Sequence, residues 1–446
     1  MRESCRRIAV SSICFVLTAC ASAPASNGAP SAPNRSEPIE PGIALATFDS
    51  LWSKVQNTYV DTAFVTSKWM TVRNSLRPRA ATITQRSDLD HLLADALSNI
   101  PDSHFYIIPA QVATTDEPGE TGSDGRGTTG LAVRVAQGKV VVWRVERGSP
   151  AWVGGIRPGQ RVSRVGNRGA DSAMRRVRAL PEKARPRALA DMLHGMNGLL
   201  TPSVGDTVRV VIGTWTDVVR GYSLVAIPGK GRVSQFGNLP PIAGLVKEVR
   251  IPTSSPRGCV GLIAFNIWLP ALVPDLEQAV DSVRTCDGVV VDLRGNPGGV
   301  GAMVMGFGGY FVDSTRSLGA MKSRQVTLNF VINPRISRFT GPLAIIVDPM
   351  TASTSEIFAA GMQRIGRARV FGETSAGAAL PALMERLPSG DVFVHAVADF
   401  TDPFGRRIEG AGAVPDEIVP LKVSDLAQGR DAPLDAAVRW IVKKKE

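Results

Sequence analysis

The segment Asp292-Leu293-Arg294-Gly295-Asn296-Pro297-Gly298-Gly299 follows the apolar run 289–291 directly. An unbroken apolar run predicts a strand that is buried on both faces, and the glycines that follow allow a sharp turn and a close backbone approach. A second apolar run, 343–347, leads in the same way into the polar segment 351–356. Two buried strands that end in such turns indicate a mostly parallel sheet.

The residues on either side of these runs continue the pattern of a strand followed by a helix. Residues 260–265 and 368–371 read as further strands, while 272–283 and 355–365 carry apolar residues at helical spacing. This alternation predicts an α/β region, 240–446, with helices on both faces of the sheet. Ligands of such sheets bind beyond the carboxyl ends of the strands, where both Gly299 and Ser353 fall.

Two other regions precede this one, so the predicted fold class is a multidomain α/β protein. Three amphipathic helices, with Thr47 as the expected cap of the first, predict a helical domain over 42–113. A Gly/Thr/Asp-rich loop from about 114 to 127 marks its end. Residues 125–230 then alternate with a period of two, which predicts a β-rich domain.

The β-rich region resembles a PDZ domain over 148–160 and again over 205–210. The resemblance implies that Gly130, Leu131 and Ala132, with the preceding threonine, form a loop that captures the C-terminal carboxylate of a peptide added as a strand. The alternative is a small β domain without a peptide groove.

The first 41 residues resemble the leader of a bacterial lipoprotein. Arginines precede a short apolar stretch, and Leu17-Thr18-Ala19-Cys20 has the form of a lipidation box. Residues 1–19 are then a signal peptide, Cys20 carries lipid, and 20–41 form a disordered tether. The expected location is the cell envelope, at the outer membrane facing the periplasm. An ordinary cleaved signal peptide is the alternative.

Composition excludes several classes of protein. With 446 residues, 44% of them hydrophobic and 20% charged, the chain is neither disordered throughout nor a polytopic membrane protein. The net charge of +11 comes without a run of five like charges or an aromatic-interleaved basic patch, so nucleic acid is not an expected partner. No Cys/His cluster suggests a metal, and no cofactor is expected.

Cys259 and Cys286 each precede a predicted strand. If those strands are parallel neighbours, the two thiols lie at one sheet edge and can form a disulfide in an oxidising compartment. Free thiols are the alternative.

Ser353 is the candidate nucleophile because it lies between a buried strand and a helix. A serine there is exposed at the sheet edge, beside backbone N–H groups and the positive end of a helix. The spacing from Ser353 to Glu356 also fits a capping box, which requires no catalysis.

Five motifs in one order resemble the core of the carboxyl-terminal processing peptidases and their tricorn-type relatives: 292–299, 351–360, 366–374, 387–390 and 408–416. The resemblance implies a protease core of ClpP/crotonase-like fold with Ser353 as nucleophile. Gly298, Thr354 and Gly299 would then form the oxyanion hole.

The sequence departs from the pattern of the carboxyl-terminal processing peptidases at the general base. Bacterial carboxyl-terminal processing peptidases use a Ser/Lys dyad, but the matching position here is Ala378. Tricorn-type relatives use a histidine oriented by a serine and a glutamate, which implies His104, Ser103 and Glu409 as the remaining catalytic residues. The three other histidines fit structural roles. His91 is expected to be a solvated surface residue, His194 to be part of a basic insert, and His395 to be a half-exposed strand residue.

The function expected from these motifs is a serine endopeptidase that cleaves peptides or unfolded proteins, with a lipid anchor in the membrane. Its expected partners are substrates with free C-termini. A non-cleaving protein that binds peptides or apolar ligands on the same fold is the alternative.

Overall fold

The computed structural model describes residues 37–110, 126–214, 218–235, 237 and 241–444. The predicted signal peptide, Cys20, most of the tether and most of the loop 114–127 lie outside the described residues. All described residues belong to one unit, 35–446.

The helices fall into three groups along the chain. They are α1 (Pro41–Thr58), α2 (Thr62–Thr66), α3 (Lys68–Ala80) and α4 (Arg86–Leu97); then α5 (Pro150–Val153), α6 (Ala170–Ala179) and α7 (Arg185–Leu199); and finally α8 (Val273–Val283), α9 (Met303–Gly308), α10 (Thr354–Arg364), α11 (Val423–Ala427) and α12 (Ala432–Lys443). Short 3₁₀ turns span Glu182–Ala184 and Pro270–Leu272.

The strands begin after the first helical group. They are β1 (Tyr106–Ile108), β2 (Gly127–Thr128), β3 (Leu131–Ala136), β4 (Lys139–Val145), β5 (Arg161–Val165), β6 (Arg168–Gly169), β7 (Thr207–Gly213), β8 (Val219–Val225), β9 (Ile227–Pro228), β10 (Arg232–Ser234), β11 (Ile242–Gly244), β12 (Val246–Pro252), β13 (Cys259–Phe265), β14 (Gly288–Asp292), β15 (Arg316–Ser323), β16 (Thr327–Ile332), β17 (Leu343–Val347), β18 (Ala368–Gly372), β19 (Ala382–Arg386), β20 (Val392–Ala396), β21 (Ala398–Thr401) and β22 (Glu417–Ile418).

The central sheet has the order β12-β13-β14-β17-β18-β22 and is parallel except at the β12-β13 pair. Every residue of β14 and β17 is buried. Val289 and Val291 enter the core formed with α8 and α10, while Val290 enters a second core formed with α12. The sheet is therefore mostly parallel and covered on both faces, as the apolar runs predicted.

The helical region begins earlier than predicted and reaches into the rest of the chain. Helix α1 starts at Pro41, so Thr47 is a buried residue inside the helix and the expected N-cap at Thr47 is wrong. Residues 37–39, assigned to the tether, bond to residues 84–86. Strand β1 pairs with β20 and extends the β20-β19 hairpin to three strands.

The β-rich region forms its own sheet of order β3-β4-β5-β7-β8, in which β3 is an edge strand and β6 pairs with β5. Its core combines side chains from this sheet with others from α6 and α7. Helix α7 packs along β3, so the free edge of β3 faces a helix.

Cys259 and Cys286 form a disulfide with a Cα–Cα distance of 5.0 Å. Their strands are parallel neighbours in which Val260 pairs with Gly288. No helix in the described part of the chain is both long and apolar enough to cross a membrane.

Candidate active site

Ser353 occupies the turn between β17 and α10, and its backbone is in an unusual conformation (φ 55°, ψ −123°). A non-glycine residue with these angles is strained, so the surroundings must hold it there. Its N–H donates to Ala378 O at 2.8 Å and to Glu356 Oε2 at 2.9 Å. The side chain is half-buried at the carboxyl end of the central sheet.

Glu356 lies one helical turn beyond Ser353 and is fully buried. Besides the Ser353 N–H, its carboxylate accepts hydrogen bonds from Ser375 Oγ (2.6 Å) and from the N–H groups of Gly377 (2.7 Å) and Ala378 (2.9 Å). Burial raises the pKa of Glu356 to about 7, while the hydrogen bonds oppose that rise. The Glu356 half of the capping box is thus present, and it also holds the strained Ser353 backbone.

The segment containing Gly298 lies directly against Ser353. A Cβ atom on Gly298 (φ +102°) would lie 2.6 Å from Ser353 Cβ and 3.0 Å from Thr354 N, so the close approach requires glycine. Thr354 is the first residue of α10, and its N–H therefore has no partner inside the helix. The Gly298 N–H donates to Asn296 Oδ1 at 3.0 Å, and Gly299 O accepts the Thr354 hydroxyl at 2.8 Å.

Ser103 links His104 to Glu409. Its N–H donates to Glu409 Oε1 (2.7 Å), its hydroxyl donates to Glu409 Oε2 (2.9 Å), and its Oγ lies 2.7 Å from His104 Nδ1. Because the single hydroxyl proton goes to the carboxylate, Nδ1 of His104 must be the donor to Ser103 Oγ. In the neutral ring Nε2 then carries the free lone pair that a general base needs.

Residues 378 and 379 connect Ser353 with this chain of hydrogen bonds. Ala378 O accepts the Ser353 N–H, and the next residue, Ala379, donates its N–H to Glu409 Oε2 at 2.7 Å. A single peptide unit, made of the Ala378 carbonyl and the Ala379 N–H, therefore touches both the candidate nucleophile and the carboxylate that bonds Ser103. The position of the missing dyad lysine, Ala378, is in direct main-chain contact with Ser353.

The loop that carries His104 is anchored by charged residues that sequence reasoning missed. Asp102 accepts hydrogen bonds from Tyr59 Oη (2.8 Å) and from both Nη atoms of Arg407 (2.7 and 3.3 Å). Arg407 stands two positions before Glu409, so neighbouring residues of one segment hold Asp102 and Ser103. The only sequence signal was that proximity of Arg407 to Glu409.

A second arginine approaches the same loop from the β-rich region. Arg187, on α7, donates from Nη1 to the main-chain oxygen of Asp102. Burial, and secondly the positive charge of Arg187, lower the pKa of His104 to about 4. His104 is therefore neutral at physiological pH, which is the protonation state that a base requires.

The other histidines have structural surroundings. His91 is exposed on α4, and His194 Nε2 lies 3.0 Å from Met350 O. His395 is fully buried, with Nε2 2.6 Å from Glu385 Oε2, so the expectation that it is half-exposed was wrong. The strand around it is covered on its inner face by the helical region. No group of three metal-binding side chains occurs within the described ranges.

The predicted peptide-binding loop leads into an edge strand that is partly occupied. Gly130 adopts φ +70°, and its N–H donates to Thr128 Oγ1 at 2.9 Å. Just beyond Leu131 and Ala132, the side chain of Asn197 accepts the Val133 N–H (3.0 Å) and donates to the Val133 carbonyl (3.1 Å). Asn197 thus makes the two hydrogen bonds that an added strand would make at this residue.

The β-rich region is joined to the Ser353 turn by a buried ion pair. Arg134 Nε donates to Asp348 Oδ2 at 2.6 Å, and both side chains are almost completely buried. The other Asp348 oxygen accepts the N–H groups of Gly295 (2.9 Å) and Met350 (3.0 Å). One carboxylate therefore connects strand β3 with both turns of the candidate site.

Comparisons with known proteins show which proteins this chain resembles. Residues 259–419 match the model of peptidase family S41. The carboxyl-terminal-processing protease of Synechocystis sp. is 22% identical over 386 residues, which cover 84% of this chain and 81% of the relative. Among solved structures, the photosystem II D1 C-terminal processing protease has a TM-score of 0.53 at 19% identity, and covers 87% of this chain and 98% of its own.

The tricorn protease also has the same fold, with a TM-score of 0.52 at 15% identity over 91% of this chain and 37% of its own. The residues that match the family model include strand β13, the turn that contains Gly298, and both Ser353 and Glu409. From the sequence match, the shared fold and the serine at the strand-to-helix turn together, residues 259–419 are a peptidase family S41 domain similar to the carboxyl-terminal processing proteases, and the chain is a serine-type peptidase.

Proposed function

We propose that this peptidase uses Ser353 as nucleophile and His104 as general base, with Glu409 acting through Ser103. The observation that supports the proposal is the unbroken chain of hydrogen bonds from Glu409 to Ser103 and from Ser103 to His104. It fixes the tautomer that leaves His104 Nε2 free to accept a proton. A non-catalytic binding protein would have no need of this arrangement.

In the first step, Ser353 Oγ attacks the carbonyl carbon of a peptide bond while its proton passes to His104 Nε2. The carbonyl oxygen takes the negative charge, and the Thr354 N–H at the start of α10 stabilises it. The imidazolium then gives its proton to the leaving amine as the C–N bond breaks. Water, deprotonated by His104, then attacks the acyl carbon, and the imidazolium returns the proton to Ser353 Oγ as the bond between Oγ and the acyl group breaks.

The second oxyanion donor comes from the adjacent glycine turn. In the resting conformation the Gly298 N–H is bonded to Asn296, so this N–H must leave Asn296 before it can reach a substrate oxygen. The Gly299 N–H is the other donor in the same turn. The peptide unit between these glycines is held by the Trp268 N–H, which donates to Gly298 O at 2.9 Å, so turning the Gly299 N–H toward a substrate would break that bond.

The proposal includes the substrate class, the anchor and the location. Substrates are peptides or loosely folded proteins, and the PDZ-like region presents their C-termini through the loop at Gly130, Leu131 and Ala132. Lipid on Cys20 attaches the enzyme to a bacterial membrane on its periplasmic side. These assignments depend on the sequence patterns and on the resemblance to processing proteases.

The test is labelling by a serine-reactive fluorophosphonate together with peptidase assays on an unfolded protein. We expect Ser353→Ala to abolish labelling, and Ser353→Ala and His104→Ala each to lower kcat/KM by on the order of 10³-fold or more. His91→Ala is the matched control because this exposed histidine lies outside the site. Wild-type labelling of Ser353→Ala, or wild-type activity of His104→Ala, would contradict the triad.

A further inference from the structure

A cavity of about 460 Å³ opens at the end of the central sheet opposite to Ser353. Its wall includes Leu343, the first residue of β17, whereas Ser353 follows the last residue of that strand. Ile365 and Gly366, just beyond α10, form another side, and Trp440 of α12 closes it. Nothing in the proposed peptidase mechanism uses this space.

Three cationic side chains line the cavity: Arg316, Arg367 and Lys444. The salt bridges formed by the described residues include none of these three. Asp313 is the one carboxylate in the wall, and it accepts a hydrogen bond from Ser314 Oγ at 2.9 Å. The lining therefore carries a net charge of +2, and no group among the described residues forms a salt bridge with these three cations.

Arg367 is the most confined of the three cations. Its guanidinium donates to the main-chain oxygens of Phe311, Phe339 (3.1 Å) and Gly341 (2.8 Å), all of them uncharged. Burial lowers the pKa of Arg367 to about 10, and it remains a cation at neutral pH. Arg367 is a half-buried cation whose hydrogen bonds all go to carbonyl oxygens, with the negative charge of Asp313 acting from further away, and such a cation favours an anion at its open side.

The remaining wall is apolar and aromatic. The half-buried indole of Trp440 lies 5.1 Å from Lys444 Nζ, so an aromatic face and an ammonium group are adjacent. The volume falls within the range of sites for small organic molecules. A ligand with a doubly charged head and a short planar or apolar body would match both parts of the wall.

We propose that this cavity binds a small organic phosphate monoester, whose dianionic head lies among Arg316, Arg367 and Lys444 and whose body packs on Trp440. The ligand can come from two sources, a soluble metabolite or the headgroup of an anionic phospholipid. The proposal does not depend on the catalytic residues, and the site lies away from them.

Isothermal titration calorimetry of the full chain with phenyl phosphate tests the proposal, with inorganic phosphate as a second probe. We expect saturable binding of phenyl phosphate that exceeds the binding of inorganic phosphate. Arg316→Gln and Lys444→Gln should each weaken it about tenfold through loss of a charge-assisted contact. Arg367 is left intact because it also holds three carbonyl groups in place.

Lys443→Gln is the matched control, since Lys443 is an exposed neighbour in α12 that does not line the cavity. It should bind like the wild type. No saturable binding, or equal weakening by Lys443→Gln and Lys444→Gln, would overturn the proposal. Cosedimentation with phosphatidic acid vesicles that depends on Lys444 and not on Lys443 would identify a phospholipid headgroup as the source of the ligand. Binding of phenyl phosphate without cosedimentation would identify a soluble metabolite as the source.

Discussion

Ser353 and His104 share an uncommon property, a positive backbone φ of 55° and 61°. Gln137 is the other non-glycine residue with a positive φ in the part of the chain that the structure describes. Such a conformation costs on the order of 1–3 kcal/mol and persists only where neighbours enforce it. At Ser353 the neighbour is Glu356, and at His104 it is the segment that carries Arg407 and Glu409.

The acid limb of the pH–activity profile should report the pKa of His104. Because burial and the charge of Arg187 lower that pKa to about 4, kcat/KM should rise as pH increases through about 4 and stay level toward neutrality. Arg187→Gln removes a positive neighbour, so the folded-state pKa should rise and the acid limb should move to higher pH. Measurement of kcat/KM against pH checks this.

Arg185→Gln is the control for that experiment, because Arg185 is an exposed residue at the start of the same helix and donates to Leu180 O instead. Its profile should match that of the wild type. An unchanged profile for Arg187→Gln would show that the Arg187 charge does not act on His104.

Single residues were predictable where a local pattern surrounded them. The position of Ser353 between a strand and a helix was predictable because an apolar run, a turn and a helical pattern follow one another within a few residues. Asp102 and Arg407 could not, because their contact joins positions 305 residues apart and depends on how two regions pack. The same reason hid the Arg134–Asp348 pair from sequence reasoning.

At the scale of elements, continuous apolar runs predicted the bounds of strands accurately, whereas capping signals predicted the first residues of helices less accurately. Strand β17 has the predicted bounds, and α10 lies within one residue of them. The second of the three predicted helices, expected from the apolar spacing over 65–76, is instead divided into α2 and α3, with Asp61 capping α2. Helix α1 begins at a proline six residues before Thr47, since proline suits the first turn of a helix.

Asn197 in α7 should limit strand addition at β3. Asn197→Ala removes the side chain that bonds both Val133 groups, so we expect a peptide with a free C-terminus to bind about tenfold more tightly. Fluorescence polarisation with a labelled peptide measures this, and a C-terminally amidated peptide is the control. Affinity that stays equal or falls, in a variant with an unchanged melting temperature, would show that peptides do not pair with this edge.

For the molecule as a whole, the disulfide closes a loop with a sequence separation of 27 residues. Constraint of such a loop in the unfolded chain stabilises the folded state by about 3 to 4 kcal/mol. We expect a Cys259→Ala/Cys286→Ala double variant to unfold at lower urea concentration than the oxidised wild type. A reductant should lower the wild-type midpoint and leave that of the variant unchanged; equal midpoints for oxidised wild type and variant would contradict the stabilisation.

The three regions that the sequence suggested are joined more closely than their patterns indicated. Strand β1 of the first region belongs to a sheet of the last, and Arg187 of the second touches the loop of the first that carries His104. Such contacts join distant parts of the chain, and no periodicity in the sequence encodes them.

The bond between Ser103 and Glu409 also sets an order of events during biosynthesis. The ribosome makes the histidine loop before the carboxylate that orients it, which is 306 residues further along the chain. A nascent or truncated chain therefore lacks the arrangement around His104 until translation has passed Glu409 and both regions have folded. Activity that requires this arrangement is therefore withheld until that point of synthesis.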